Sequence, residues 1–128
     1  MNKLKRAIIS SAVDDLQVTE KGMATKRYCF QPDFIGFAGH FPGCPVLPAF
    51  VQILMALSLA EELSGCSLEL ATVEKAKFLI QLRPHQEIGV ECQERLVGEK
   101  PGCEARLTVA EGLAASFLLT FDLRGGGI

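Results

Sequence analysis

Residues 48–64 read PAFVQILMALSLAEELS, and from Ala49 to Ala60 almost no polar side chain interrupts the run. Pro48 suits a first helical position, and Gly65 suits a stop. The helix expected over Pro48–Ser64 is therefore apolar on nearly every side. Such a helix has to be wrapped by other structure, because no single face of it belongs in water. The apolar stretch from Cys44 to Ala60 contains Pro45 and Pro48 and falls short of the roughly 20 residues that span a bilayer. Burial inside a folded domain is the reading that remains.

The rest of the chain supplies material for the wrapping. Ser11–Thr19 and Met23–Phe30 read as strands joined by a turn at Glu20-Lys21-Gly22. A loop rich in Gly, Pro and Phe follows, from Gln31 to Leu47. After the helix, Leu68–Leu82 reads as a long strand. Ile88, Val90 and Cys92 alternate with Glu87, Glu91 and Gln93. Ala105, Leu107 and Val109 alternate with Glu104, Arg106 and Thr108. Leu113, Ala115, Phe117, Leu119, Phe121 and Leu123 share one face, opposite Ser116, Thr120, Asp122 and Arg124. This period of two marks antiparallel strands with one covered face. Turns are expected at Gly98–Gly102 and at Glu111-Gly112. One helix beside a run of antiparallel strands is an α+β fold. Residues 1–128 form one domain on this reading, with 125–128 a frayed tail.

Composition narrows the function. The 128 residues carry a formal net charge of −2, whereas a protein that binds nucleic acid by neutralising phosphates is normally basic. The basic start is followed by an apolar run, Ala7–Ile9, far too short for a secretory leader, and the expected location is the cytoplasm, with no membrane partner. The five cysteines, Cys29, Cys44, Cys66, Cys92 and Cys103, are odd in number and show no C-x-x-C spacing. A disulfide framework or a metal site is not expected, and the thiols read as small packed hydrophobes. Hydrophobic residues make up 48% of a small domain with much surface per volume, so another chain is expected to cover part of it.

The two histidines are His40 and His85. His85 falls in a turn between strands. His40 lies in Phe37-Ala38-Gly39-His40-Phe41-Pro42-Gly43-Cys44-Pro45-Val46-Leu47-Pro48, directly before the helix. Prolines stiffen that loop, and glycines permit close backbone approach. The free N–H groups of a helix start can polarise a carbonyl oxygen. A histidine held beside them suits proton transfer at the carbon next to a carbonyl, or simply satisfies loop backbone groups.

The run Gly39-His40-Phe41-Pro42-Gly43-x-Pro45-Val46-Leu47-Pro48, extended through Gln52 and Ile53, resembles the signature of the 3-hydroxyacyl-(acyl-carrier-protein) dehydratases of the FabZ/FabA type. Ala76-Lys77-Phe78 resembles the lysine-phenylalanine pair of the strand after the helix. The resemblance implies a hotdog fold, a curled antiparallel sheet around one long buried helix. It implies His40 as the base that takes the α-proton of a 3-hydroxyacyl thioester. It places the thioester oxygen on the backbone N–H groups of Ala49 and Phe50. Phe34, Phe37, Phe41, Phe78 and Leu79 would line the acyl tunnel, and Lys77 and Arg83 would meet a phosphopantetheine phosphate or an acidic carrier protein. No cofactor is implied. The substrate would ride on acyl carrier protein or coenzyme A. The site would lie between subunits of a homodimer, a trimer of dimers or a heterodimer.

One position departs from that pattern. The acid that protonates the leaving hydroxyl falls fourteen residues after the histidine, where this chain has Leu54. Leucine donates no proton, and loss of a positioned general acid costs a factor of about 10² to 10⁴. The usual glycine of the helix start is replaced by Ala49. Glu61 and Glu62 lie about two turns beyond Leu54, roughly 10–12 Å along the axis, and read as a solvated helix end. Asp33 reads as a turn or cap residue and Cys44 as a packed thiol. Three functions follow: a dehydratase-like enzyme of fatty-acid or related acyl-chain (lipid or polyketide) biosynthesis, a non-catalytic acyl-thioester-binding subunit or half of a heterodimer with a carboxylate-bearing paralogue, and an acyl-thioester hydrolase.

Overall fold

The computed structural model describes residues 2–37 and 45–123. His40, Phe41, Cys44 and the tail 125–128 lie outside the described residues. The elements are α1 (Lys3–Ser10), β1 (Gln17–Val18), β2 (Met23–Cys29), a 3-10 turn (Ile35–Phe37), α2 (Ala49–Ser64), β3 (Leu68–Phe78), β4 (Glu87–Val97), β5 (Lys100–Val109) and β6 (Gly112–Leu123). The strands form one antiparallel six-stranded sheet in the order β1-β2-β4-β5-β6-β3. Helix α2 packs against β2, β3, β4 and β5, so the sheet wraps the helix as its apolar composition requires. The architecture is the expected α+β one.

Helix α2 starts and stops close to the expected residues. Pro48 is the N-cap, extended at φ −71° and ψ 159°, and so sits one position before the first helical residue instead of on it. Gly65 ends the helix in the left-handed conformation at φ 75°, donating its N–H to the Glu61 carbonyl at 2.8 Å. Val51, Met55, Ala56 and Leu59 are fully buried, packing with Tyr28, Phe30, Ile88, Val90, Leu107 and Leu119 in one core.

Four expectations need correction. The first strand is not Ser11–Thr19. A helix, α1, precedes it, capped by Asn2 Oδ1 accepting from the Lys5 N–H at 2.7 Å and anchored by the buried Ile8. Only an isolated bridge, Ala12 to Tyr28, and the two residues of β1 pair with β2. Between them, Asp14 Oδ1 accepts the Arg27 N–H at 2.8 Å, so a side chain takes a donor that a longer ladder would have used.

The turn expected over Gly98–Gly102 is shorter. Val97 pairs with Lys100, leaving Gly98-Glu99 as a two-residue loop with Gly98 at φ 65°. Strand β6 is covered on both faces, not one: Leu118 and Thr120 are buried, and the Thr120 hydroxyl hydrogen-bonds the Thr72 hydroxyl at 2.6 Å.

The fourth correction shapes the site. Strand β3 stops at Phe78 instead of Leu82. The N–H groups of Leu79 and Ile80 both turn to the Ala114 carbonyl, at 2.7 and 3.2 Å. The Leu82 carbonyl accepts the Leu47 N–H at 2.8 Å. The segment after β3 therefore holds the residues just before α2.

Candidate functional site

That crossing of segments leaves a groove of about 280 Å³ at the start of α2, lined by Val46, Leu47, Ala49 and Gln52 on one side and by 78–81 on the other. Its wall is largely hydrocarbon. Phe78 is held at its inner side, 6.1 Å from Phe117 between ring centroids, yet remains 43% exposed, and Leu79 is 60% exposed. At its head lies the first turn of the helix. Pro48 supplies no capping side chain, and the first N–H groups to find an acceptor are those of Val51 and Gln52, which share the Pro48 carbonyl at 3.1 and 3.2 Å. Among the described residues the N–H groups of Ala49 and Phe50 find no acceptor, as the first donors of a helix start do not, and both residues are exposed. Donors of this kind, with the positive end of the helix dipole behind them, hold a carbonyl oxygen or an anion.

Gln52 is a polar side chain that the apolar pattern of the helix conceals. It is 4% exposed, and its Nε2 donates to the Leu47 carbonyl at 3.1 Å, tying the pre-helix segment to the helix. The signal available in sequence was an amide inside an otherwise hydrocarbon run.

The residues expected to act together are only partly brought together. Ala49, Phe78 and Leu79 line the groove. Leu54 lies further along α2, half-buried against the core. Phe34 and Phe37 belong to the core: the Phe30–Phe34 and Phe34–Phe37 ring centroids are 4.3 and 5.5 Å apart. They anchor the chain on the near side of the segment that carries His40. Lys77 borders a different groove, of about 480 Å³, with Lys75 and Arg95. Arg83 is exposed, its guanidinium donating to Gln81 Oε1 at 2.7 Å.

The carboxylates of the helix end have structural partners. Glu61 takes the Lys5 ammonium on one oxygen and the Leu68 N–H, at 2.9 Å, on the other. Glu62 takes Lys26 Nζ at 2.7 Å, and Lys26 is buried. Asp33 and His85 are exposed, and the His85 N–H donates to the Phe30 carbonyl at 2.8 Å. Cys92 and Cys103 are buried as expected, but Cys66 is exposed and Cys29 half-buried. A hydrogen bond with the Cys103 thiol and burial together push the Cys92 thiol well above its usual pKa, which makes it a poor nucleophile. Among the described residues no three His, Cys, Asp or Glu side chains gather as metal ligands, and no helix is long and apolar enough to cross a membrane.

The model of the ApeI-like family, described as ApeI dehydratase, matches residues 16–117. The 3-hydroxyacyl-(acyl-carrier-protein) dehydratase FabZ of Pediococcus pentosaceus is 34% identical over 121 aligned residues, covering 78% of this chain and 79% of that protein. Among solved structures, the dehydratase heterocomplex ApeI:P from Xenorhabdus doucetiae superposes with a TM-score of 0.74 at 20% identity, over 88% of this chain and 96% of that one. The PaaI protein of the E. coli phenylacetic acid degradation operon superposes with a TM-score of 0.63 at 13% identity, over 85% of this chain and 82% of that one.

Proposed function

Because the chain belongs to the ApeI-like dehydratase family, whose model matches residues 16–117, we propose that it acts on 3-hydroxyacyl thioesters in acyl-chain biosynthesis, with His40 as the base that removes the α-proton. The observation that carries this reading is the groove at the start of α2. It joins an apolar wall for an acyl chain to backbone donors at Ala49 and Phe50, which no described residue occupies, for the thioester carbonyl. Removing the α-proton turns that carbonyl into an enolate-like oxygen. Donors fixed before the reaction stabilise the charge as it develops, the largest electrostatic contribution a site of this type can make. In sequence the segment bearing His40 lies between Phe37 and Pro45, and Pro45 stands four positions before Ala49.

Position 54 shapes the second half of the reaction. With Leu54 in place of a carboxylic acid, departure of the hydroxyl needs a proton from water or from a second subunit. The exposed strand β3, with Val73, Phe78 and Leu79 uncovered along and beyond it, is an edge on which another subunit can pair. The heterocomplex named among the structural neighbours favours a second reading, in which a carboxylate-bearing paralogue completes the site around His40. Acyl carrier protein or coenzyme A would carry the substrate.

The test is turnover. Purified protein is incubated with 3-hydroxyacyl thioesters of several chain lengths, alone and with a carboxylate-bearing paralogue, and enoyl thioester is read by absorbance and mass. His40→Ala should abolish product in whichever mixture forms it. Product formation at an undiminished rate by His40→Ala would remove the histidine from the mechanism.

A further inference from the structure

Gln52 has a role that none of its neighbours on α2 can take. Its amide nitrogen is engaged with the Leu47 carbonyl, which fixes the orientation of the whole carboxamide, since the reversed rotamer would set oxygen against oxygen. Its Oε1 is buried and accepts no hydrogen bond from the described residues. An unsatisfied buried amide oxygen loses hydration without compensation, and native structures rarely keep one without a use. The residue also lines the groove beside Ala49, which sets this covered, fixed acceptor next to the space a ligand would enter.

The spacing selects the donor. Three residues separate Ala49 from Gln52, about 4.5 Å of rise and a little under one turn, so both fall on the groove side of the helix. A thioester carbonyl on the Ala49 and Phe50 donors leaves the acyl chain to run beside Gln52. On a 3-hydroxyacyl thioester the hydroxyl sits two carbons beyond that carbonyl, and it is the polar group of the acyl portion that can donate. We propose that Gln52 Oε1 accepts a hydrogen bond from the 3-hydroxyl of the substrate, making Gln52 a specificity-determining residue for hydroxylated over saturated acyl chains. This rests on the acyl-thioester reading above. An acceptor cannot protonate a leaving hydroxide, so the residue orients the hydroxyl and selects for it without replacing the missing acid.

Binding separates the two ideas. A His40→Ala background prevents turnover, and 3-hydroxyoctanoyl-coenzyme A and octanoyl-coenzyme A are titrated by calorimetry with and without Gln52→Met. The parent should prefer the hydroxylated ligand by about 3- to 10-fold, the range of one neutral hydrogen bond. Gln52→Met should erase that preference while leaving octanoyl-coenzyme A affinity within about twofold. A preference that survives Gln52→Met overturns the inference and leaves the thioester reading standing. Equal weakening of both ligands assigns the oxygen to a pantetheine amide and also overturns it. Failure of both ligands to bind the parent overturns the thioester reading together with the inference. Should Gln52→Met not fold, the side-chain amide resonance of Gln52 in the parent decides: it should shift with the hydroxylated ligand and stay still with the saturated one, and equal responses refute the proposal.

Discussion

Replacing Glu61 separates a strut from a catalyst. The carboxylate holds three elements together: Lys5 of α1 on one oxygen, the Leu68 N–H that opens β3 on the other, and its own helix between them. Both charged side chains are largely covered, at 20% and 15% exposure, so the pair is less screened than a surface ion pair. Glu61→Ala removes both bonds and leaves the Leu68 N–H unpaired. One lost charge-assisted bond plus an orphaned donor amounts to about 2–3 kcal/mol. For a domain of this size that corresponds to a fall in Tm of about 10 °C. Glu61→Gln keeps an oxygen for the Leu68 N–H and should lose about half as much. Neither change should slow turnover per folded molecule by more than about twofold. Twelve residues separate Ala49 from Glu61, about 18 Å of helix, which is too far for proton transfer at the groove. Differential scanning fluorimetry gives the first quantity, and enoyl-thioester formation corrected for folded fraction gives the second. A Glu61→Gln protein with unchanged Tm and a tenfold or greater loss of turnover would refute the reasoning and make Glu61 the missing acid.

Leu54→Glu should raise dehydration by about 10² or more over the parent protein, measured as enoyl thioester formed, and no gain in a folded variant would mean that the site is built for other chemistry. Gly102→Ala should lower the urea midpoint sharply, by about 3 kcal/mol in stability, because its new Cβ would lie 2.2 Å from the Leu119 carbonyl oxygen on the neighbouring strand; an unchanged midpoint would contradict that contact. The Asp14 carboxyl is held below the usual 3.8 by the Arg27 side chain and then by the Arg27 N–H. Its small contribution to stability is therefore present above the unfolded pKa and lost as pH falls through the folded one. An NMR titration should find its midpoint below 3.8 in the parent and closer to that value in Arg27→Gln. In the native protein a thiol reagent should modify Cys66 well before Cys92 or Cys103, as peptide mapping would show; early labelling of Cys92 would contradict its burial and raised pKa.

The helix Ala49–Ser64 and strands β2 and β4–β6 could be read in the chain to within a few residues. Their signals are local: an unbroken apolar run closed by Gly65, and alternation along Ile88–Cys92 and Ala105–Val109. The resemblance around His40 likewise depends only on neighbouring residues. What stayed hidden depends on partners far away in sequence. Strand β3 could not be seen to stop at Phe78, because it stops where Leu82 turns to Leu47 and Ala114 takes the next two N–H groups. Helix α1 is not legible in the basic start and the run Ala7–Ile9, weighed there only as a leader, because its tether is Glu61, far away in sequence. The packing of Phe34 and Phe37 against Phe30 is likewise a tertiary contact that the loop's sequence does not record.

The amino-acid sequence by itself determined that a helix of this composition must be enclosed, and that the enclosing strands alternate. It also carried the histidine loop and the leucine at position 54. Tertiary structure alone decided that the segment after β3 grips the residues before α2 and opens the groove there. It decided that the two glutamates at the helix end are spent on Lys5, Lys26 and Leu68. Among the described residues it also left the buried amide oxygen of Gln52 without a partner. The reason is physical: periodicity records which face of an element is apolar, whereas a hydrogen bond is settled by whichever group the folded chain brings within about 3 Å.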